Sequence, residues 1–154
     1  MSWEVGVAIA EIASATGVII TLAYLAYQIS QTNRIAKSAV VREIEQEYID
    51  LYEALATNTE FSNLATKLRD PSHTADSEVE DEKIENFAVW LASIWLSCQA
   101  CYDHGQMDQK TFQLYLEDVN AKLGHWPAIR PYVKNVMERY PAIKDMDIYR
   151  EIFR

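Results

Sequence analysis

From Val5 to Ile29 the chain reads VGVAIAEIASATGVIITLAYLAYQI, with Glu11 as the only formal charge and none following until Arg34. Such a run constrains the fold more than any other feature, because it must be buried in protein or lie in lipid. As a helix the whole run covers about 37 Å, and its charge-free part from Ile12 to Ile29 covers about 27 Å, close to the ~30 Å hydrocarbon thickness of a bilayer. A cleavable signal peptide would place a basic region ahead of a shorter apolar run, whereas no Lys or Arg precedes this one. Retention as an anchor is the expectation. Arg34, Lys37 and Arg42 follow the run, while Glu4 precedes it. Since basic flanks stay on the cytoplasmic side, this predicts an inner (cytoplasmic) membrane protein crossing once, its N-terminus outside and its C-terminal domain cytoplasmic. Trp3 at one end and Tyr24 with Tyr27 near the other suit interfacial anchors, although Tyr24 sits deep for that role.

Neither Gly nor Pro occurs between Val18 and Asp70, so the chain lacks the punctuation that sheets require. The fold class that follows is all-α, a long N-terminal transmembrane helix continuing into a small cytosolic helical bundle. Three regions are expected: residues 1–33 as the anchor helix, 34–57 as an amphipathic extension and 58–154 as the cytosolic helical domain. The extension carries Val41, Ile44, Tyr48, Leu51 and Leu55 at spacings of three and four, which marks one buried face. Unbroken from Trp3 to Ala56, the first helix would be about 80 Å long; a break near Gln31-Thr32-Asn33 is the alternative.

Thr57-Asn58-Thr59-Glu60 reads as a capping box opening a short second helix with Phe61, Leu64 and Leu68, and Ser77-x-x-Glu80 reads as another. The helix after Ser77 should bury Ile84, Phe87, Ala88, Leu91, Ile94, Trp95, Cys98 and Tyr102 and end at Gly105. Asp108 should cap a fourth helix ending at Gly124, Trp126-Pro127 should start a fifth that Pro131 restarts and Tyr140-Pro141 stops, and Asp145 to Phe153 suits a last short helix.

Within the apolar run, Glu4, Val7, Glu11, Ser14, Val18, Thr21, Leu25 and Gln28 follow one another at spacings of three and four. Glu11, Ser14, Thr21 and Gln28 therefore form an intramembrane polar seam. A carboxylate inside an apolar span costs about 2.5 to 3.5 kcal/mol on insertion scales, so Glu11 should face a partner, a cavity or the wet interface. Gly6, Ala10 and Ser14, and separately Ala13, Gly17 and Thr21, repeat every four residues, the small-residue pattern that lets helix backbones approach in lipid. Gly6, Ala10, Ala13 and Gly17 are the candidate helix-packing positions.

The remaining composition excludes more than it assigns. The formal net charge is −9 with a sequence pI near 4.8, which argues against a nucleic-acid partner. Cys98 and Cys101 have no second ligand pair, and they lie in mid-helix rather than at a helix start, so two small core residues are expected rather than a zinc or redox site. Glu78, Glu80, Asp81 and Glu82 crowd a helix start, where capping and solvation account for them. His73 reads as a solvated loop residue and His104 as a favourable helix C-terminal residue; neither they nor His125 sit in a catalytic motif. No catalytic, cofactor-binding or metal-ligating set is expected.

Trp3-Glu4, Glu11-Ile12, Leu22, Tyr24-Leu25, Gln28-Ile29, Gln31 and Asn33, with the later Gly105-Gln106-Met107 turn, the Ile129-Arg130 step and the Tyr149 to Phe153 tail, resemble an uncharacterised group of short bacterial proteins with one N-terminal membrane-spanning helix and a helical cytosolic domain. The resemblance covers most of the chain and implies that architecture, with no activity, cofactor or site residue. The sequence thus points to a non-enzymatic, membrane-anchored assembly or interaction subunit, in contact with lipid and self-associating or docking on another membrane subunit. Two alternatives stand beside it: an oligomeric ion- or proton-conducting protein using Glu11, and a soluble helical enzyme or ligand binder, its first helix buried between subunits and a pocket near Trp95, Cys98 and Trp126.

Overall fold

The computed structural model of the protein describes residues 3–154 apart from the side chain of Glu4, so that end of the polar seam lies outside the described residues. The described chain is all-α: six helices, two 3-10 turns and no strand. α1 runs from Trp3 to Thr57 without interruption, Gln31, Thr32 and Asn33 included. By contact the chain divides into two units between Ala39 and Val40.

In the first unit, every residue from Val5 to Ala39 is exposed. Val40–Arg154 is the helical bundle, and it includes the last part of α1. There the three-four stripe of the sequence is the packed face: Ile44 and Leu51 are buried, and Val40, Val41, Tyr48 and Leu55 are partly buried against them. The region expected as a separate extension over 34–57 therefore joins the bundle from Val40 onward.

α2 (Thr59–Lys67) is capped by Asn58, whose side chain accepts from the Phe61 N–H at 3.0 Å. Thr57, expected as the cap, is instead the last residue of α1 and donates its hydroxyl to the Glu53 carbonyl at 2.7 Å. A helical Thr can use that backbone acceptor, which leaves the cap to the extended Asn58. Ser77 caps α3 (Glu78–Asp103), accepting from the Glu80 N–H at 3.2 Å, and Glu80 reaches back to the Asp76 N–H at 2.6 Å.

α3 touches α4, α5 and α6, and it carries the largest buried side chain, Trp95. Its buried residues run from Ile84 through Phe87, Ala88, Leu91, Ala92, Ile94 and Trp95 to Cys98 and Gln99, a wider apolar arc than a surface helix shows. It ends in a Schellman motif: Gly105 has φ +66°, its N–H meets the Tyr102 carbonyl at 2.9 Å, and the Gln106 N–H meets the Cys101 carbonyl at 2.8 Å.

Asp108 caps α4 (Gln109–His125), accepting from the Thr111 N–H at 3.0 Å. Gly124 does not end this helix. The backbone turns two residues later at Trp126, whose ring packs edge-on against Phe87 with centroids 5.0 Å apart. Pro127 then opens a 3-10 turn, and the Ala128 N–H reaches the Leu68 carbonyl at 3.2 Å, tying this corner to the end of α2.

Pro131 lies in the first turn of α5 (Arg130–Glu138), where its missing N–H costs no helical hydrogen bond. α6 (Asp147–Phe153) has no side-chain cap of its own, and Gln99 of α3 supplies one, accepting from the Ile148 N–H at 3.1 Å while its amide donates to Asp103 at 3.0 Å. Gln99 is the buried polar residue of the core, 2% exposed. Gln99→Ala leaves a buried N–H without an acceptor, a loss of about 1–3 kcal/mol. The urea midpoint of the full chain in mild detergent should fall by about 1 M, and an unchanged midpoint would contradict this role.

Candidate functional site

α1 over Val5–Thr57 is a helix long and apolar enough to cross a membrane, its apolar window having a mean hydropathy of 2.0 and no buried residue. The polar side chains of the run are disposed of mainly within the helix. Thr16 donates to the Ile12 carbonyl at 2.8 Å and Thr21 to the Gly17 carbonyl at 2.9 Å. The Gln28 amide donates to the Tyr24 hydroxyl at 2.9 Å, and the Gln31 amide to the Tyr27 hydroxyl at 2.6 Å. These two pairs place both phenol oxygens beside residues one turn nearer the polar end, which accounts for a tyrosine at the depth of Tyr24.

The structure brings most of the expected packing positions onto one face. At about 100° per residue, Gly6, Ala10, Ala13, Ser14, Gly17, Thr21 and Gln28 fall within an arc of about 100°, and Glu11 lies about 60° beyond its edge. Tyr24 is the one large residue of Val5–Ile29 inside that arc. All eight positions are exposed. A Cβ placed on Gly6 or Gly17 would meet nothing within 4 Å, so no contact within the chain requires glycine there.

In the bundle, sequence reasoning missed a chain of polar contacts joining three helices. The Trp95 indole N–H of α3 donates to the Tyr48 hydroxyl of α1 at 3.1 Å, and that hydroxyl donates to Asp118 of α4 at 2.7 Å. The other Asp118 oxygen lies 3.2 Å from the Lys122 ammonium, which also donates to the Tyr52 hydroxyl and stands 4.8 Å from the Tyr52 ring centroid. Burial, then the Asp118 charge, holds the Tyr48 phenol above its ordinary pKa. Burial pulls the Lys122 ammonium down, but Tyr52 and Asp118 outweigh it and keep its pKa raised. The only signal in the sequence was chemical: a buried Trp and Tyr need partners for N–H and O–H.

Trp95 and Cys98 are core residues, both 0% exposed, and Trp126 is 3% exposed. Burial pushes the Cys98 thiol from its ordinary 9.0 to about 12, which keeps it protonated near neutrality and lowers its nucleophilicity. One hollow of about 320 Å³ lies over Phe61, Leu64, Phe87 and Trp90, with the Lys83–Glu60 ion pair on its rim. Another, of about 460 Å³, lies between α1 and α4 at Tyr48, Ile49, Tyr52, Leu114 and Tyr115. His73 is not solvated as the loop composition suggests: its side chain is 13% exposed, with Nε2 3.9 Å from Glu80, because the Lys67–Asp76–Glu80 cluster folds the loop down.

Tyr48→Phe keeps the ring, stacked on Tyr115 at 6.1 Å, and leaves the Trp95 N–H without its acceptor. A loss of about 1–3 kcal/mol in unfolding free energy is expected, and unchanged urea unfolding would remove the network's structural role. The pH dependence has a definite sign. Burial, the largest cause for each group, raises Cys98 from 9.0, and Tyr115 and Tyr132 from 10.0, to about 12. The folded state thus holds protons that the unfolded chain releases. Stability is complete below about pH 9 and declines through pH 10–12, visible as a falling Tm; a flat Tm to pH 12 would contradict the burial of these groups.

Comparison with protein-family models, with curated proteins and with solved structures finds no match for this chain.

Proposed function

We propose that the protein is a single-pass inner-membrane subunit, its N-terminus outside and its C-terminal bundle in the cytoplasm, acting without catalysis in assembly by self-association or by docking on another membrane protein. The observation that carries this reading is the complete exposure of Val5–Ala39 over an apolar window of mean hydropathy 2.0. Soluble monomers rarely leave a contiguous apolar surface above a few hundred Å², and lipid satisfies one at no cost. The intrahelical bonds of Thr16, Thr21, Gln28 and Gln31 support the same reading, since polar groups in hydrocarbon need internal partners.

The association face is the arc of Gly6, Ala10, Ala13, Ser14, Gly17, Thr21 and Gln28. Small residues permit the close backbone approach by which helices gain dispersion energy in lipid. Glu11, outside the arc and roughly 9 Å inside the apolar run, suits a register-fixing or interfacial role better than the lining of an oligomer axis. Cys98, held protonated by burial, favours packing over nucleophilic attack, which supports a non-enzymatic bundle.

Membranes from cells expressing the full chain should retain it through carbonate extraction, and the detergent-solubilised particle should have a mass several times 17.7 kDa by light scattering. Gly17→Leu, at a position where an added Cβ meets nothing within 4 Å, should leave the helix content and membrane retention intact and reduce self-association by tenfold or more, about 1.4 kcal/mol. A carbonate-soluble chain would overturn the anchor and favour a soluble oligomer with α1 buried between copies.

A further inference from the structure

Between Ile12 and Arg42 this strongly acidic chain contains no Asp or Glu, and three of its 14 Lys and Arg lie there. Arg34 and Lys37, the first two after the apolar run, are exposed and make no ion pair among the described residues. The next acid in the sequence is Glu43, about 9 Å further along the helix from Lys37.

The two cations also share a face. Ser30, Asn33, Arg34 and Lys37 recur at helical spacing and fall within an arc of about 100°, while Gln31, Thr32 and Ile35 lie outside it. With Ala26 and Ile29 they line a shallow hollow of about 460 Å³. The hollow therefore grades along the helix axis from two apolar side chains, through a hydroxyl and an amide, to a guanidinium and an ammonium.

We propose that Ser30, Asn33, Arg34 and Lys37 bind the headgroup of an anionic phospholipid, with Ala26 and Ile29 against the start of its acyl chains. The proposal rests on the membrane reading above, which puts the end of the apolar run at the headgroup level. Arg34 and Lys37 supply charge-assisted donors to the phosphate, Arg34 as a planar fork and Lys37 as a point charge. Asn33 and Ser30 supply neutral donors to the phosphate or glycerol oxygens. A cation near an anionic surface favours it by about fivefold, so the pair should prefer anionic over zwitterionic lipid by at least about tenfold.

The test uses the full chain in detergent micelles, with equal amounts of phosphatidylglycerol and phosphatidylcholine of the same acyl chains, and counts retained lipids by native mass spectrometry. The wild-type chain should retain phosphatidylglycerol about tenfold over phosphatidylcholine, saturating at one per chain, and inorganic phosphate should give no retained adduct. A charge-conserving pair of substitutions, Lys37→Gln with Ile35→Lys, moves one cation to the other side of the helix and should reduce the preference by about fivefold, leaving what Arg34 alone supplies. Equal retention of both lipids by the wild type, an unchanged preference in the paired variant, or a retained phosphate adduct each overturns the lipid site. Carbonate extraction of the same membranes separates the two failures: a retained chain without lipid preference removes the site alone, whereas a released chain removes the membrane reading and the site with it.

Discussion

Burying Trp95 is the constraint on which the bundle depends. Its indole is fully buried in the middle of α3, and a buried indole N–H without an acceptor costs about 1–3 kcal/mol. The acceptor is the Tyr48 hydroxyl, on a different helix and 47 residues away. That hydroxyl in turn needs an acceptor, found in Asp118 of α4. Satisfying one N–H therefore specifies where the last part of α1 and the face of α4 meet α3. The apolar contacts around them, Ile44, Leu51, Phe112 and Val119 among the buried set, supply the larger part of the burial energy but little direction, because dispersion contacts tolerate rotation and a hydrogen bond does not.

Local chemistry explains which parts of this fold are legible in the sequence. Helix positions follow from spacing alone: seven of the eight residues expected to be buried in α3 are buried, and Tyr102 is partly buried against Phe112, its ring stacked at 4.2 Å. Gly105 and Ser77 act as read, since a left-handed backbone and an N-cap are set within a few residues. Gly124 and Thr57 mislead because local signals compete: a residue one or two places on, Trp126 after Gly124 and Asn58 after Thr57, takes the corner. Trp126 wins through a ring contact with Phe87, far away in sequence, and no pattern within α4 could reveal it.

The polar chain from Trp95 to Lys122 and the folded-down His73 were illegible for the same reason. Periodicity assigns residues to faces, not to partners, and the bonds from Tyr48 span 47 and 70 residues. In α1 the difficulty is different. A heptad pattern groups Glu11 with Ser14, Thr21 and Gln28, yet three residues turn a helix by about 300°, which leaves Glu11 about 60° from Ser14 and off the small-residue arc, while the seam itself slants by about 20° per heptad. In the proposed association, left-handed winding would realign the seven-residue seam, and a right-handed crossing would suit the four-residue repeat.

If α1 spans a membrane as proposed, its internal bonds narrow where a partner helix would act. Thr16 and Thr21 are satisfied by carbonyls one turn back, and Gln28 and Gln31 by tyrosines of the same helix. Thr21 and Gln28 can therefore lie in hydrocarbon with little cost and need no second chain. Glu11 and Ser14 have no such bond among the described residues and stand three residues apart, one turn of the same helix. A carboxylate and a hydroxyl left open in this way must be met by water at a shallow depth or by donors and acceptors of another helix. In an assembly of the proposed kind, the polar contribution would concentrate in the N-terminal half of the apolar run, while the glycines and alanines around it would contribute shape. On the proposed reading, close approach would then belong to the small residues, Gly17 among them, and polar specificity to Glu11 and Ser14.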